Sequence, residues 1–103
     1  MKNKNSNFNQ KCYQLLQKVP EGQVTTYKQI AKALGTIAYR AVGNAMAKNE
    51  KTIVIPCHRV IKSNGEIGNY RFGSEKKKKL LQQEGISITN DKVDNLSQVI
   101  YKF

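Results

Sequence analysis

The sequence predicts a small, mainly α domain. It reads as winged-helix-like, built on a helix-turn-helix, with a short hairpin near a Cys-His pair and an amphipathic helix towards the C-terminus. Three observations carry this prediction. Phe8, Cys12, Leu15, Leu16 and Val19 recur at helical spacing near the start of the chain. Two further short helical stretches are joined by a tight turn containing Gly35. An Asn64-Gly65 step lies between the apolar residues Val60-Ile61 and Ile67, a short-hairpin signal. A chain of 103 residues can build one core and not two.

Residues 1–7 are polar with no apolar stretch and read as a disordered leader, not a secretion signal, which leaves residues 8–103 as a single domain. The first helix is expected over 8–18, ended by Pro20-Glu21-Gly22. Thr26-Tyr27-Lys28-Gln29 has capping-box form and opens a second helix that runs to Leu34, with Ile30, Ala31 and Leu34 inward. Gly35 takes the C′ position that favours left-handed backbone.

A third helix is expected over 37–48, with Ala38, Val42, Ala45 and Met46 on its core side. Arg40, Gly43, Asn44 and Ala47 fall on the other side, nearly bare of side chains except for one arginine and one amide. A mid-helix glycine costs about 1 kcal/mol relative to alanine. Gly43 therefore marks either a close helix contact or a face kept bare to meet a nucleic-acid backbone. The plainer alternative to a helix-turn-helix is a structural helical hairpin.

Ser74 is placed to cap a last helix over 75–84, with Leu80 and Leu81 inward and Gly85 ending it. On it, Lys76 to Lys79 read as a solvated face. The tail carries weak strand character around 86–88 and 96–101.

Apolar residues make up 39% of the chain, and no stretch approaches the roughly 20 needed to cross a bilayer, so no membrane role is expected. Eighteen basic residues against seven acidic ones leave a net charge of +11, which points to a polyanionic partner, nucleic acid first. Two cysteines and one histidine without a Cys-x-x-Cys pair are too few for a structural zinc, so neither metal nor cofactor is expected. Nothing indicates export, so the thiols are expected reduced in a cytoplasmic protein, with Cys12 a small buried hydrophobe.

Cys57 and His58 stand side by side after the apolar run Ile53-Val54-Ile55-Pro56, and His58 is the only histidine. Pro56 fixes the backbone ahead of the thiol, which preorganises a nucleophile. A thiolate needs a nearby base or positive charge. His58 can serve directly or through a water, because neighbouring side chains on extended backbone point apart. A carboxylate would then orient the imidazole. Glu84 is a candidate among seven acids, and spacing alone does not single it out.

Pro56-Cys57-His58-Arg59-Val60 resembles the active-site signature of the O6-alkylguanine-DNA alkyltransferases. The likeness continues in register over residues 8–86. Gly22-Gln23-Val24-Thr25-Thr26-Tyr27 is similar to the family's entry to its helix-turn-helix, and Arg40-Ala41-Val42-Gly43-Asn44-Ala45-Met46 to its recognition helix. Asn49 falls where the family carries an asparagine ahead of the signature. Gly68-Asn69-Tyr70-Arg71-Phe72-Gly73 resembles its pocket loop, and Glu84-Gly85 its closing pair.

The resemblance implies DNA repair by stoichiometric transfer of an alkyl group from guanine O6 to Cys57, after the nucleotide is flipped from the duplex. His58 would draw off the thiol proton through a water, Glu84 would polarise His58, and Asn49 would bridge the recognition helix and the active-site turn. Tyr27 would press on a phosphate and, with Tyr70, bound the pocket. Arg40 would enter the stack as a finger, with Ala41, Gly43, Asn44 and Ala47 against the minor groove. Pro56, Val60, Tyr70 and Arg71 would surround the extruded base.

The implied partner is double-stranded DNA containing O6-alkylguanine, bound by a monomer that would sit at the nucleoid in a prokaryote. The family's own N-terminal domain has no counterpart here, so a minimal form is expected. Two rivals stand beside this reading: a non-enzymatic alkyltransferase-like lesion binder, whose kind replaces the acceptor cysteine, and a basic helix-turn-helix DNA-binding module. A Cys-His hydrolase is disfavoured because no glycine cluster precedes Cys57.

Overall fold

A computed structural model of the chain describes residues 4–49 and 54–103. Met1 to Asn3 of the expected leader and Ile53 of the apolar run lie outside the described residues. Among those described the order is α1 (Lys4–Leu16), β1 (Thr25–Thr26), α2 (Tyr27–Ala33), α3 (Tyr39–Ala47), a 3₁₀ turn (Cys57–Arg59), β2 (Val60–Ile61), α4 (Ser74–Gln83), β3 (Ile88–Thr89), β4 (Lys92–Val93) and α5 (Leu96–Val99). The fold is mainly α, as expected.

α1 begins four residues before Phe8, so residues 4–7 extend the helix where a leader was expected. Once the Phe8-to-Leu16 face is docked, adding a turn needs no new nucleation. Cys12, Leu16 and Val19 are fully buried with Ile30, Ala31, Val42, Ala45 and Val60 in a first core. Tyr13 spans α1 to α3 with a 2.7 Å hydrogen bond from its hydroxyl to the Ala45 carbonyl.

The Thr26 cap forms as read: its Oγ1 accepts from the Gln29 amide at 3.0 Å. Gly35, at φ +73°, turns the chain out of α2, and the Thr36 amide returns to the Ala31 carbonyl at 3.0 Å. α3 then starts at Tyr39, two residues later than expected. Ala38 is exposed at its N-cap and not in the core, because the Thr36 hydroxyl takes the Ala38 amide in a local turn.

The turn at Ser63 to Gly65 forms and is closed by a 2.9 Å bond from the Lys62 amide to the Glu66 carbonyl. Its arms find other partners, however. β2 pairs in parallel with β1, Thr25 opposite Val60, which sets the 3₁₀ turn, just ahead of β2, level with the segment that leads into β1. Ile67 donates instead to the Asp91 carbonyl in the tail.

α4 corrects two expectations. Ser74 is its first residue and not its cap; Gly73, at φ +95°, occupies the cap with backbone that a side chain would strain. Lys77 is fully buried, so the lysine run is not uniformly a solvated face. Lys77, Leu81 and Glu84 stand four and three residues apart, on one stripe of the helix. Leu80 is only half-buried.

Residues 87–103 close a second core of Val24, Ile61, Ile67, Leu81, Ile86 and Val93. β3 and β4 form a hairpin with Ile88 opposite Val93. The strand expected over 96–101 is instead the short α5, after which Ile100 bridges Val24 and the Tyr101 amide donates to the Val24 carbonyl at 2.6 Å. The tail thus covers the free edge of β1. Leu81→Ala should cost about 2–5 kcal/mol by the cavity it leaves, and Leu80→Ala less than half of that; urea midpoints of the two variants check the contrast.

Candidate active site

The chain enters the site through Pro56, whose ring fixes φ ahead of the 3₁₀ turn. Within that turn Cys57 and His58 are both buried. Cys57 belongs to the first core and also lines a cavity of about 660 Å³. It is a free thiol, as is Cys12. Burial pushes Cys12 up to about 11, which makes it inert, and it lies in the core away from this cavity.

Glu84 is the carboxylate that His58 meets. Its Oε2 lies 2.9 Å from His58 Nε2. Arg59 grips the same carboxylate with two nitrogens, Nε to Oε1 at 2.9 Å and Nη2 to Oε2 at 2.7 Å, and donates from Nη1 to the Val19 carbonyl at 2.8 Å. Burial alone would raise the Glu84 carboxyl, but the hydrogen bonds and charges of Arg59 and His58 outweigh it and hold the group below its usual range. Burial lowers His58, against the pull of Glu84, so the imidazole is neutral at pH 7.

An ionised carboxylate only accepts, so Nε2 carries the imidazole proton. Nδ1 is therefore the basic nitrogen. It is buried and has no hydrogen-bonding partner among the described residues.

Asn49 ties two segments together. Its side-chain amide donates to the Ile55 carbonyl at 2.8 Å, joining the end of α3 to the approach to Cys57. Its own carbonyl accepts from Arg71 Nη1 at 2.7 Å, which anchors the 68–73 loop as well.

Of the expected site residues, Tyr27, Arg40, Gly43, Asn44, Ala47, Tyr70 and Arg71 line the cavity with Cys57. Ala41, Pro56 and Val60 do not. Pro56 and Val60 are buried behind the turn, and Ala41 is half-buried on the flank of α3. A Cβ built on Gly43 would have nothing within 4 Å, so this glycine makes no close helix contact; its bareness leaves the cavity floor open.

Two contributors escaped the sequence reading. Arg59 is one, and its signal is chemical: a guanidinium matches a carboxylate bidentately, and Glu84 is such a carboxylate. Lys77 was hidden inside the lysine run. Its Nζ donates to the Val60 carbonyl at 2.6 Å and to the Asn69 carbonyl at 3.0 Å, and lies 6.0 Å from the Tyr27 ring centre. Burial brings it down to about 7, although the charge of Cys57 pulls the other way. The helical spacing to Leu81 was the signal that could have found it.

No group of three or more His, Cys, Asp or Glu able to hold a metal occurs among the described residues. No helix among them is long and apolar enough to cross a membrane.

A basic chain with the α2–α3 helix pair beside a buried Cys57-His58 step, whose imidazole rests on Glu84, has the form of a DNA-binding domain. The family model described as the DNA-binding domain of 6-O-methylguanine DNA methyltransferase matches residues 7–86, and the chain belongs to that family. It is 51% identical over 80 residues to a methylated-DNA–protein-cysteine methyltransferase of Metallosphaera sedula, covering 78% of this chain and 50% of that protein.

A crystal structure of O6-methylguanine-DNA methyltransferase from Pyrococcus kodakaraensis is 50% identical at a TM-score of 0.71, covering 77% of this chain and 46% of that one. S. pombe Atl1, in complex with damaged DNA containing O6-carboxymethylguanine, is 32% identical at a TM-score of 0.83, with full coverage of both chains. The chain spans about half the length of the methyltransferase relatives it matches.

Lys77 separates folding from charge in a measurable way. The unfolded chain holds its proton up to about 10.5 and the native one releases it near about 7, so in that window the unfolded state binds more protons and stability rises with pH. Urea unfolding across the window should show the stability of the native chain relative to Lys77→Met growing as pH rises. A constant difference would mean that Lys77 titrates normally.

Proposed function

We propose that the chain repairs DNA by moving an alkyl group from O6 of guanine to Cys57, once per molecule. The observation that carries this reading is the line Glu84–His58 behind a cavity-lining thiol, with the imidazole proton on the Glu84 side and Nδ1 left basic. His58 takes the thiol proton through a water.

The sulfur attacks the alkyl carbon in line as the bond to O6 breaks, and guanine recovers a proton. In-line approach is impossible on a stacked base, so the nucleotide must leave the duplex. Tyr27 and Tyr70 bound the pocket it enters, and Arg40, exposed on α3, holds its place in the stack.

α3 offers Gly43, Asn44 and Ala47 to the DNA, and short side chains suit a minor groove that carries little base code. A repair protein needs that indifference to sequence. The +11 charge supports affinity for the phosphates. Residues 8–103 act as one unit and as a monomer.

The full-length likeness to S. pombe Atl1, tail included, supports damaged DNA as the partner and keeps a lesion-binding reading in play. Cys57 favours transfer over binding alone.

Incubation with a duplex containing O6-methylguanine should add one methyl mass to the peptide that holds Cys57 and restore guanine. Lesion binding with no adduct would replace the transferase reading by the lesion-binding one. Arg40→Ala should slow repair in duplex about tenfold or more relative to its effect on free O6-benzylguanine, because unstacking costs a few kcal/mol and the free base needs none. Equal losses on the two substrates would make Arg40 a structural residue.

A further inference from the structure

Arg59 holds Glu84 more fully than His58 does. Its Nε donates to Oε1 at 2.9 Å and its Nη2 to Oε2 at 2.7 Å, so both carboxylate oxygens are engaged. Oε2 also accepts from His58 Nε2 at 2.9 Å. Arg59 Nη1 is fixed in turn on the Val19 carbonyl at 2.8 Å, which leaves the guanidinium little freedom to swing away. Alkyl transfer as described draws on His58 and Glu84 and leaves Arg59 unused.

Charge decides what this grip does. The side chains of His58, Glu84 and Arg59 are 2%, 11% and 14% exposed, so water screens them weakly and a cluster without net charge is favoured. With Arg59 in place, an ionised Glu84 and a neutral His58 already balance, and a further proton would leave a positive charge unpaired. Without Arg59 the same pair is negative, and one more proton would neutralise it.

That extra proton would end the basicity of Nδ1 wherever it settled. On the ring it makes an imidazolium, with N–H at both nitrogens. On Glu84 it makes a carboxylic acid that donates to Nε2 and drives the ring proton onto Nδ1.

The other groups around His58 do not do this work. Lys77, on α4, is a second cation felt at the ring and also opposes a proton there. Its Nζ is bonded to the Val60 and Asn69 carbonyls, however, and it pairs with no carboxylate among the described residues. Cys57, in the same turn, is the source of the proton to be moved.

We propose that Arg59 is a positioning residue: by engaging both oxygens of Glu84 it keeps the His58 ring proton on Nε2 and leaves Nδ1 open to the proton of Cys57. This rests on the alkyl-transfer reading above. In that step the proton passes from Cys57 Sγ through water to Nδ1, and the imidazolium gives up a proton as guanine recovers one. Arg59 makes Nδ1 a weaker base, but one that is unoccupied at neutral pH.

His58 is the only histidine, so its ring Cε1–H signal can be followed by NMR without ambiguity. In the native chain it should titrate below 6.5, the ordinary value. In Arg59→Met the midpoint should rise past 6.5, because the carboxylate then holds the second proton. Arg59→Lys, which keeps the charge, should restore most of the native midpoint. Adding Glu84→Gln to Arg59→Met should bring the midpoint back below 6.5, since no carboxylate remains. Transfer from free O6-benzylguanine by Arg59→Met should be about tenfold slower than native at pH 7, with the ratio recovering as pH rises.

A midpoint that Arg59→Met leaves at the native value would overturn the proposal. So would a midpoint of 6.5 in both Arg59→Met and Arg59→Lys, the value of a ring released from its site, which would make Arg59 a structural tie. A rate ratio that stays flat with pH would have the same meaning. A native chain that transfers neither benzyl nor methyl at any pH would instead remove the alkyl-transfer reading, while the titration would still report on Arg59.

Discussion

The Glu84 carboxylate organises the molecule around itself. Arg59 grips it bidentately, His58 leans on it, and through Arg59 the same cluster reaches the Val19 carbonyl just beyond α1. Three distant parts of the chain are thereby fixed at one point: the segment after the first helix, the 3₁₀ turn with the thiol, and the end of α4. A half-buried carboxylate shared by two partners is a high-stakes arrangement, because removing one leaves the others imperfectly paired. The same contact that fixes the turn also decides which nitrogen of His58 is basic, so architecture and chemistry have a common origin.

Around this point the two cores divide the work. The first packs α1, α2 and α3 against Cys57 and Val60, and so ties the thiol to α3. The second packs α4 and the tail against Val24 and Ile61. The short parallel pair of β1 and β2 is the seam between them. A two-residue strand pair is weak alone, but here one edge of β1 holds the site turn and the other is covered by Ile100 and Tyr101.

The sequence made the helices legible where the apolar spacing was strong, as at Cys12, Leu16 and Val19, and where the capping chemistry was local, as at Thr26. Cys57 and His58 stand out as the chain's scarcest chemistry and Glu84 as one candidate carboxylate among seven, while Asn49 comes from the likeness to a known family; the structure brings His58 and Glu84 into contact. Lys77 was not legible by composition, because a lysine's burial depends on carbonyls supplied by residues 60 and 69. The tail was not legible for a similar reason: Ile100 finds its partner at Val24, across almost the whole chain. Local pattern cannot report a pairing over that separation. Ser74 failed as a cap because Gly73 was free to adopt a backbone that other residues avoid.

Cys57 is both wall and foundation: it faces the cavity, yet it is counted among the residues on which α1 and α3 rest. A group added to its sulfur is in effect a small-to-large core substitution made after folding, the kind of change that ordinarily costs about 1–3 kcal/mol. Val42, Ala45 and Met46, all from α3, share that core. If Cys57 takes up an alkyl group as proposed, the molecule would carry the record of that reaction in its own packing, in the layer beneath α3.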